Sequence, residues 1–171
     1  MQAVVRAATA SDMERVAGIY AHYVSGSVVT FDTAPPDAAD WRRKHAELAG
    51  RGLPFLVAEA GGEVAGYAYA APWKTRPAYR HTVEDSVYLA PGWTGRGLGR
   101  LLLDALLAAC AQAGVRQVVA VIADSGDAAS AALHARSGFT DAGRLTAVGH
   151  KHGRWLDTIL MQRDLTGARC T

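Results

Sequence analysis

The segment Thr94-Gly95-Arg96-Gly97-Leu98-Gly99-Arg100 connects a β-type run at residues 83–89 to a long amphipathic helix. Its three alternating glycines permit positive backbone dihedrals. They also let successive N–H groups converge at a helix N-terminus, where the helix dipole favours negative charge. A tight turn alone would explain one glycine. Three glycines flanked by Arg96 and Arg100 favour a phosphate-binding turn, and we call residues 94–100 the glycine turn.

The spacing within the glycine turn excludes two common nucleotide loops. A Walker A loop requires Lys and then Ser or Thr after its last glycine, but Arg100-Leu101 follows here. A Rossmann fingerprint has Gly-x-Gly-x-x-Gly near the start of a βαβ unit, whereas the spacing here is Gly-x-Gly-x-Gly and earlier strands precede it. The expected ligand is a phosphate-bearing cofactor of another class.

Hydrophobic patterns on both sides of the glycine turn predict an α/β chain. Strands are predicted at residues 3–6, 54–60, 63–71, 83–89, 115–123, 140–149 and 155–163. Helices are predicted around residues 13–23, from Asp37 to Gly50 or Gly52, from residue 101 to 114, and over residues 128–137. Gly61-Gly62 indicates a hairpin, and the apolar run 115–123 indicates a strand covered on both faces. With no repeat or linker, we expect one α/β domain over residues 1–171 with a mixed sheet.

Composition limits the function classes. The 171 residues are half apolar and one-fifth charged, which is enough chain for a buried core. The net charge of +2 and the scattered arginines argue against a nucleic-acid surface. Cys110 and Cys170 lie far apart and fit neither a disulfide framework nor a zinc site. No leader or membrane-length apolar run is present, so we expect a cytoplasmic protein that binds no membrane.

The glycine turn resembles the pyrophosphate-binding motif Arg/Gln-x-x-Gly-x-Gly/Ala of the GCN5-related N-acetyltransferase (GNAT) superfamily, with Gly97-Leu98-Gly99 as its core. The resemblance covers nearly the whole chain and is greatest to the phosphinothricin and methionine sulfoximine acetyltransferases. Matching segments are Arg6-Ala7-Ala8-Thr9-Ala10-Ser11-Asp12, Thr30-Phe31, Ala70-Ala71-Pro72-Trp73-Lys74-Thr75-Arg76, Thr82-Val83-Glu84-Asp85-Ser86-Val87-Tyr88, Leu133-His134, and Gly149-His150-Lys151-His152-Gly153-Arg154-Trp155-Leu156-Asp157. It implies the GNAT fold, a mixed and mostly antiparallel central sheet flanked by helices, and acetyl-CoA as co-substrate without a metal.

The resemblance also implies how the cofactor is held. Amides of the glycine turn would bind the pyrophosphate, and backbone groups of the preceding strand would pair with the pantetheine arm. The implied cofactor residues are Val87, Tyr88, Leu89, Gly95, Arg96, Gly97, Leu98, Gly99, Arg100, Asp127 and Ser130. Thr94 stands at the Arg/Gln position, which removes one side-chain contact but leaves the amides. Asp127 stands where an Asn is usual and adds a charge near the cofactor.

Two residues are candidates for the chemistry. Amine acetylation by a thioester needs a neutral amine, a polarised carbonyl and a leaving thiolate that can be protonated. Glu84 matches the position of the proposed general base in these enzymes, although a lone strand Glu is more commonly solvated or salt-bridged. His134 takes the place where many superfamily members have a Tyr that protonates the coenzyme thiolate. A pantetheine or structural contact of His134 stays open as the alternative.

The loop Trp73-Lys74-Thr75-Arg76 is the candidate for substrate recognition. It pairs a point cation with a planar guanidinium, which suits a carboxylate and a second oxyanion, and it matches the substrate loop of the subfamily. The expected substrate residues are Phe31, Lys74, Thr75, Arg76, Tyr79, Glu84, Asp85 and Ser86. Trp41, Trp93 and Trp155 are expected to be packing residues.

These residues predict acetyl transfer to the α-amine of a small amino acid analogue by direct attack in a ternary complex, since no cysteine is placed to form an acetyl-enzyme. The resemblance further implies a homodimer, with residues 149–157 near the interface. One alternative is an acetyltransferase for a protein N-terminus, a polyamine or an aminoglycoside. Those mostly cationic substrates would favour an acidic pocket, against which Lys74 and Arg76 argue. The other alternative is a non-catalytic acyl-CoA-binding sensor.

Overall fold

A computed structural model describes residues 2–167 of the chain, so Cys170 lies outside the described residues. Within that range, seven strands form one sheet: β1 (Val4–Ala7), β2 (Phe55–Ala60), β3 (Glu63–Pro72), β4 (Thr82–Leu89), β5 (Gln117–Ala123), β6 (Thr140–Lys151) and β7 (Arg154–Asp164). Four α-helices accompany them: α1 (Met13–Gly26), α2 (Ala38–Gly50), α3 (Leu98–Gln112) and α4 (Ala129–Arg136). The order of elements is the predicted one. None of the helices in residues 2–167 has the length and apolar character of a membrane span.

The strand order across the sheet is β1-β2-β3-β4-β5-β7-β6. The neighbouring pairs are antiparallel except β4 and β5, which run parallel. The predicted mixed, mostly antiparallel sheet is therefore confirmed. β7 lies between β5 and β6, because the last hairpin places its second strand against β5.

Local sequence explains several element boundaries. Asp37 caps α2 by accepting from Asp40 N at 2.8 Å, and the Asp40 carboxylate accepts from Asp37 N at 3.0 Å. This reciprocal capping satisfies two N–H groups that a helix start leaves open. Gly61 and Gly62 form the predicted hairpin turn between β2 and β3.

Helices cover both faces of the sheet. α1 and α2 pack on one face, over β2, β3 and β4, and enclose an aromatic core. Its members include Tyr20, Trp41, Phe55, Tyr67 and Tyr69. α3 and α4 pack on the opposite face over an aliphatic core, which includes Leu102, Leu106, Cys110, Val118 and Met161. Cys110 is buried there, as its position within the apolar helix predicted.

Two sequence expectations are wrong. β5 is covered on one face only: Val118, Ala120 and Ile122 are buried toward α3, but Val121 on the other face is 37% exposed. The reason is that α1 and α2 lie over β2, β3 and β4 and leave this face of β5 open. Trp155 is not a packing residue, since it is 72% exposed and its ring contacts His150, with the ring centres 4.6 Å apart.

Candidate active site

β4 and β5 run side by side over a short stretch and then border a cavity. Their parallel register joins Thr82, Val83 and Glu84 to Gln117, Val118 and Val119. Beyond it, residues 85–89 of β4 and 120–123 of β5 line a cavity of about 830 Å³. The wall also includes Tyr69 from the face of α1 and α2 and His134 from the face of α3 and α4. The cavity therefore passes through the sheet where the two strands part.

Along β4, the backbone N–H and C=O groups of successive residues point alternately toward β3 and toward this gap. Ala90, just after the strand, donates its N–H to Ala65 O of β3 at 2.8 Å. Because backbone groups alternate in direction along a strand, Val87 and Leu89 direct theirs into the gap. The Tyr23 hydroxyl donates to the Leu89 carbonyl at 2.6 Å and supports this direction. The predicted pairing of Val87 and Leu89 with a pantetheine arm is compatible with this geometry, although the Leu89 carbonyl already has one donor.

The glycine turn opens onto the cavity at the start of α3. Gly95 and Gly97 have φ of 74° and 81°, the left-handed region that favours glycine, and Gly97 is the N-cap residue of α3. The first N–H groups of a helix have no partner within that helix, so they are available to an anion here. Thr94, Gly95, Gly97, Gly99 and Arg100 line the cavity.

Two predicted cofactor residues of the turn do not line the cavity with the others. Arg96 lies over the Trp93 ring, its guanidinium carbon 4.9 Å from the ring centre. Leu98 is buried against Ala60 and Ala65 in a small apolar cluster. Arg96 is thus exposed beside Trp93, whereas Leu98 belongs to the protein interior.

Asp127 and Ser130, the other predicted cofactor residues, line the cavity at the start of α4. The Asp127 carboxylate accepts from Ala129 N at 2.9 Å, so it already helps to cap α4. Ser130 is exposed and gives its carbonyl oxygen to the His134 ring.

Glu84 lies on the opposite side of the sheet from the glycine turn's helix. Side chains alternate along β4, so Glu84, Ser86 and Tyr88 share the face of α1 and α2. Burial raises the pKa of the Glu84 carboxyl and the neighbouring Asp85 raises it further, while Lys44 and Lys74 oppose the shift. Glu84 consequently holds a proton more readily than an exposed glutamate, which suits a general base.

Asp85 points to the other face and contacts His134. Its Oδ2 lies 2.8 Å from His134 Nε2, and His134 Nδ1 lies 2.7 Å from Ser130 O. The Phe139 ring packs edge-on against the imidazole, with centres 4.9 Å apart. The structure therefore separates Asp85 from Glu84 and Ser86, with which it was predicted to bind substrate, although all three border the cavity. The strand alternation could have shown this separation from sequence.

The predicted substrate loop does not form part of the cavity wall. Lys74, Thr75, Arg76 and Tyr79 are exposed, and Lys74 Nζ lies over the Trp73 ring, 4.8 Å from its centre. The loop adjoins the site through charge, since Lys74 acts on Glu84. Its predicted substrate contacts stay predictions.

Phe31, in contrast, lines the cavity within an anchored loop. The Tyr20 hydroxyl lies 2.6 Å from Thr30 Oγ1, and the buried Lys151 of β6 donates from Nζ to Thr30 O at 2.8 Å. The Phe31 ring packs directly over Gly149 of β6. The hairpin of β6 and β7 thus holds the loop that carries Thr30 and Phe31, which we call the early loop, against the cavity.

Sequence reasoning missed the aromatic and basic residues on this side of the site. Tyr20, Tyr23 and Tyr69 line the cavity, and Lys44 Nζ donates to the Tyr69 hydroxyl at 3.1 Å. Helical spacing carried a signal, because Lys44 follows the buried Trp41 by three residues and so lies on the apolar side of α2. Within residues 2–167, no group of three or more His, Cys, Asp or Glu side chains could hold a metal ion.

Comparison with known proteins agrees with this geometry. The acetyltransferase (GNAT) family model matches residues 16–139. Phosphinothricin N-acetyltransferase of Alcaligenes faecalis is 47% identical over 167 residues, covering 98% of this chain and 85% of that protein. L-methionine sulfoximine/L-methionine sulfone acetyltransferase of Pseudomonas aeruginosa is 39% identical over 170 residues, covering 99% and 98%.

A solved structure extends the likeness to three dimensions. The phosphinothricin acetyltransferase from Sinorhizobium meliloti, in complex with acetyl-CoA, superposes with a TM-score of 0.93 and 42% identity, covering 100% of this chain and 94% of that one. The resemblance inferred from the glycine turn and its surroundings is confirmed: the chain belongs to the acetyltransferase (GNAT) family.

Proposed function

We propose that the chain transfers the acetyl group of acetyl-CoA to the α-amine of a small amino acid analogue of the phosphinothricin, methionine sulfoximine or methionine sulfone type. The observation that carries the proposal is the cavity through the gap between β4 and β5. The glycine turn opens onto it at the N-terminus of α3, and Glu84 borders it on the opposite face of the sheet. Two substrates can therefore approach from the two faces and meet at the gap, as direct transfer in a ternary complex requires.

In this proposal the turn and β4 hold the acetyl donor. Amides of the glycine turn bind the pyrophosphate, and the N–H and C=O groups of Val87 and Leu89 direct the thioester arm along the gap. Acetyl-CoA supplies the activated acetyl group. A backbone N–H facing the thioester carbonyl would stabilise the negative charge that develops on its oxygen.

Glu84 accepts the proton that the substrate ammonium must lose, directly or through water. The neutral amine then forms the C–N bond as the C–S bond breaks, and the thiolate leaves with the bonding electron pair. The proton that the new amide nitrogen must lose passes to the sulfur, directly or through water, and gives the free thiol. His134 borders the cavity from the other face, where we place the sulfur. In this proposal Glu84 acts on the amine that attacks, and His134 acts on the sulfur that leaves.

Charge near Glu84 supports an acidic substrate. Lys44 and Lys74 both act on the Glu84 carboxyl, from α2 and from the predicted substrate loop. Two cations beside the proposed base would attract the carboxylate and second oxyanion of such an analogue. The same two cations would repel polyamines and aminoglycosides, the cationic substrates of the alternative acetyltransferase function. The names of the relatives in Alcaligenes and Pseudomonas agree with this class.

The test is release of the coenzyme thiol from acetyl-CoA with L-methionine sulfoximine, phosphinothricin, a polyamine or no amine. We expect release with the two amino acid analogues far above the rate without an amine. Release with the polyamine alone would contradict the proposal. No release with any amine, despite binding of acetyl-CoA, would favour the non-catalytic sensor.

We also propose that the chain forms a homodimer. Leu145, Val148 and Trp155 on the last hairpin are exposed apolar side chains, which is the composition of a contact surface. The cytoplasmic location and the single domain over residues 1–171 stay predictions.

A further inference from the structure

The hydrogen bonds of His134 restrict where its protons lie. Ser130 O is a carbonyl oxygen and can only accept, so the His134 Nδ1 that lies 2.7 Å from it carries a hydrogen. Nε2 and Asp85 Oδ2, 2.8 Å apart, must then share one further proton. Either the ring is an imidazolium beside a carboxylate, or it is a neutral imidazole beside a carboxylic acid.

Burial makes the two groups depend on each other. The side chains of His134 and Asp85 are 6% and 1% exposed. A lone buried charge of either sign would be costly, but a hydrogen-bonded pair of opposite charges offsets much of that cost. Within residues 2–167, Asp85 Oδ1 has no hydrogen-bond partner. The hydrogen bond of the Asp85 carboxyl is therefore the one between Oδ2 and the His134 imidazole.

The surroundings favour the ionic form. Burial alone would lower the pKa of His134, but the hydrogen bond to Asp85 and the charge of that carboxylate raise it above its ordinary value. From α3, Cys110 faces Asp85, and burial raises the pKa of that thiol to about 12, so it stays neutral. The other charged groups around the cavity are Glu84, Arg100, Asp127 and Arg136.

We propose that Asp85 is a positioning residue that holds His134 as an imidazolium at the cavity wall, where the positive ring stabilises the departing coenzyme thiolate. The inference rests on the proposed function for its chemical purpose. The pair itself transfers no proton in this scheme: the C–S bond breaks and both electrons pass to sulfur, and the imidazolium, the positive end of the pair, lowers the energy of that anion. The sulfur then takes the proton that the new amide nitrogen loses. Since both ring nitrogens are already bonded, the ring is oriented before the substrate binds.

The first test is nitrogen NMR of the His134 ring, assigned by loss of its signals in His134→Gln. We expect both ring nitrogens to be protonated at about pH 7, where an isolated histidine is mostly neutral. In Asp85→Asn the side-chain amide can still hydrogen-bond the ring, and we expect Nε2 to lose its proton. A neutral ring in the parent protein, with Nδ1 protonated and Nε2 not, would overturn the proposal. That measurement needs no variant of Asp85, so it stands even if Asp85→Asn does not fold.

The second test separates turnover from binding. We expect Asp85→Asn to lower kcat by about 10-fold to 100-fold, with little change in the KM for acetyl-CoA, because the lost interaction acts on the developing thiolate. Glu14→Gln is the control: it removes one carboxylate charge from the exposed start of α1, and kcat should not change. Unchanged kcat in Asp85→Asn together with a deprotonated ring would contradict a role in the reaction. Failure of the proposed function would appear differently, as an inactive parent whose ring is still doubly protonated.

Discussion

Glu84 is the residue on which the chemistry of the proposed reaction depends. It is partly buried beside Asp85, and both features raise the pKa of its carboxyl. A raised pKa helps a base to hold a proton taken from an ammonium group, but it also means that the folded protein disfavours the charged form. Function and stability therefore have opposite requirements at this position.

The variant Glu84→Gln should lose activity without losing stability. We expect kcat to fall by about 10²-fold to 10⁴-fold, the usual contribution of a positioned general base, while acetyl-CoA binds as before. At pH 7 the midpoint of thermal unfolding should equal or exceed that of the parent. Steady-state kinetics, calorimetric titration with acetyl-CoA and thermal unfolding measure the three quantities.

The sign of the stability change follows from the raised pKa. A carboxyl that binds its proton more tightly when folded lowers stability at pH values above its folded pKa, and this cost disappears below its unfolded pKa of about 4.3. The advantage of Glu84→Gln over the parent should thus grow as the pH rises above about 4.3 and become constant once the carboxyl of the folded parent is ionised.

Glu47→Gln provides the matched control, because Glu47 is an exposed residue of α2 paired with Arg51. Neither kcat nor the pH dependence of unfolding should change appreciably in that variant. If Glu84→Gln weakened acetyl-CoA binding as much as it lowered kcat, Glu84 would not be the base.

At the scale of elements, the glycine turn and β4 were predictable because their signals are local. The alternation of residues 83–89, the glycines and the apolar spacing of α3 can each be read within a few residues. The parting of β4 and β5 has no such signal, since it depends on how two strands that are distant in sequence pair. The same holds for the position of β7 inside the sheet and for the contact between Asp85 and His134. The sequence therefore predicted the elements that line the site, but not the gap between β4 and β5 or the contacts that form across it.

The contact between the early loop and the last hairpin leads to a prediction about Gly149. Gly149 of β6 pairs with Leu156, and a Cβ built at Gly149 would lie 2.4 Å from the Phe31 ring. Thr30, next to Phe31, is hydrogen-bonded by Tyr20 and by Lys151. Moving the backbone of Phe31 would break these bonds, so a backbone shift that carries the ring away is costly. In Gly149→Ala we expect the ring to shift and the acceptor side of the cavity to change shape.

The measurable result of Gly149→Ala is a rise in the KM for the amine by about 10-fold, equivalent to about 1.4 kcal/mol, a usual cost of overpacking. The KM for acetyl-CoA should not change, because the glycine turn lies at the other end of the cavity. Gly18→Ala is the control: its Cβ would meet nothing within 4 Å, and α1 should gain up to about 1 kcal/mol. Equal changes in both KM values for Gly149→Ala would show that Phe31 does not act on the acceptor alone.

The two edge strands of the sheet differ in length. β1 is a short strand of four residues, Val4–Ala7, whereas β6 spans twelve residues and is exposed over residues 140–148. A long, exposed edge with apolar side chains is a template for pairing with another chain. The hairpin that carries this edge also supports Phe31, so whatever covers the hairpin also supports the cavity wall.

A second copy of the chain is the partner that we propose for this surface, and Trp155 is the residue to change. Trp155→Glu places a charge at the most exposed aromatic side chain of the hairpin, and burying an unpaired charge would oppose association. Sedimentation equilibrium should show a dimer for the parent and a monomer for the variant. Leu101→Glu is the matched control, because Leu101 is an exposed apolar residue of α3 away from the hairpin, and its variant should stay dimeric. A monomeric parent, or dissociation by both substitutions alike, would contradict an interface on β6 and β7.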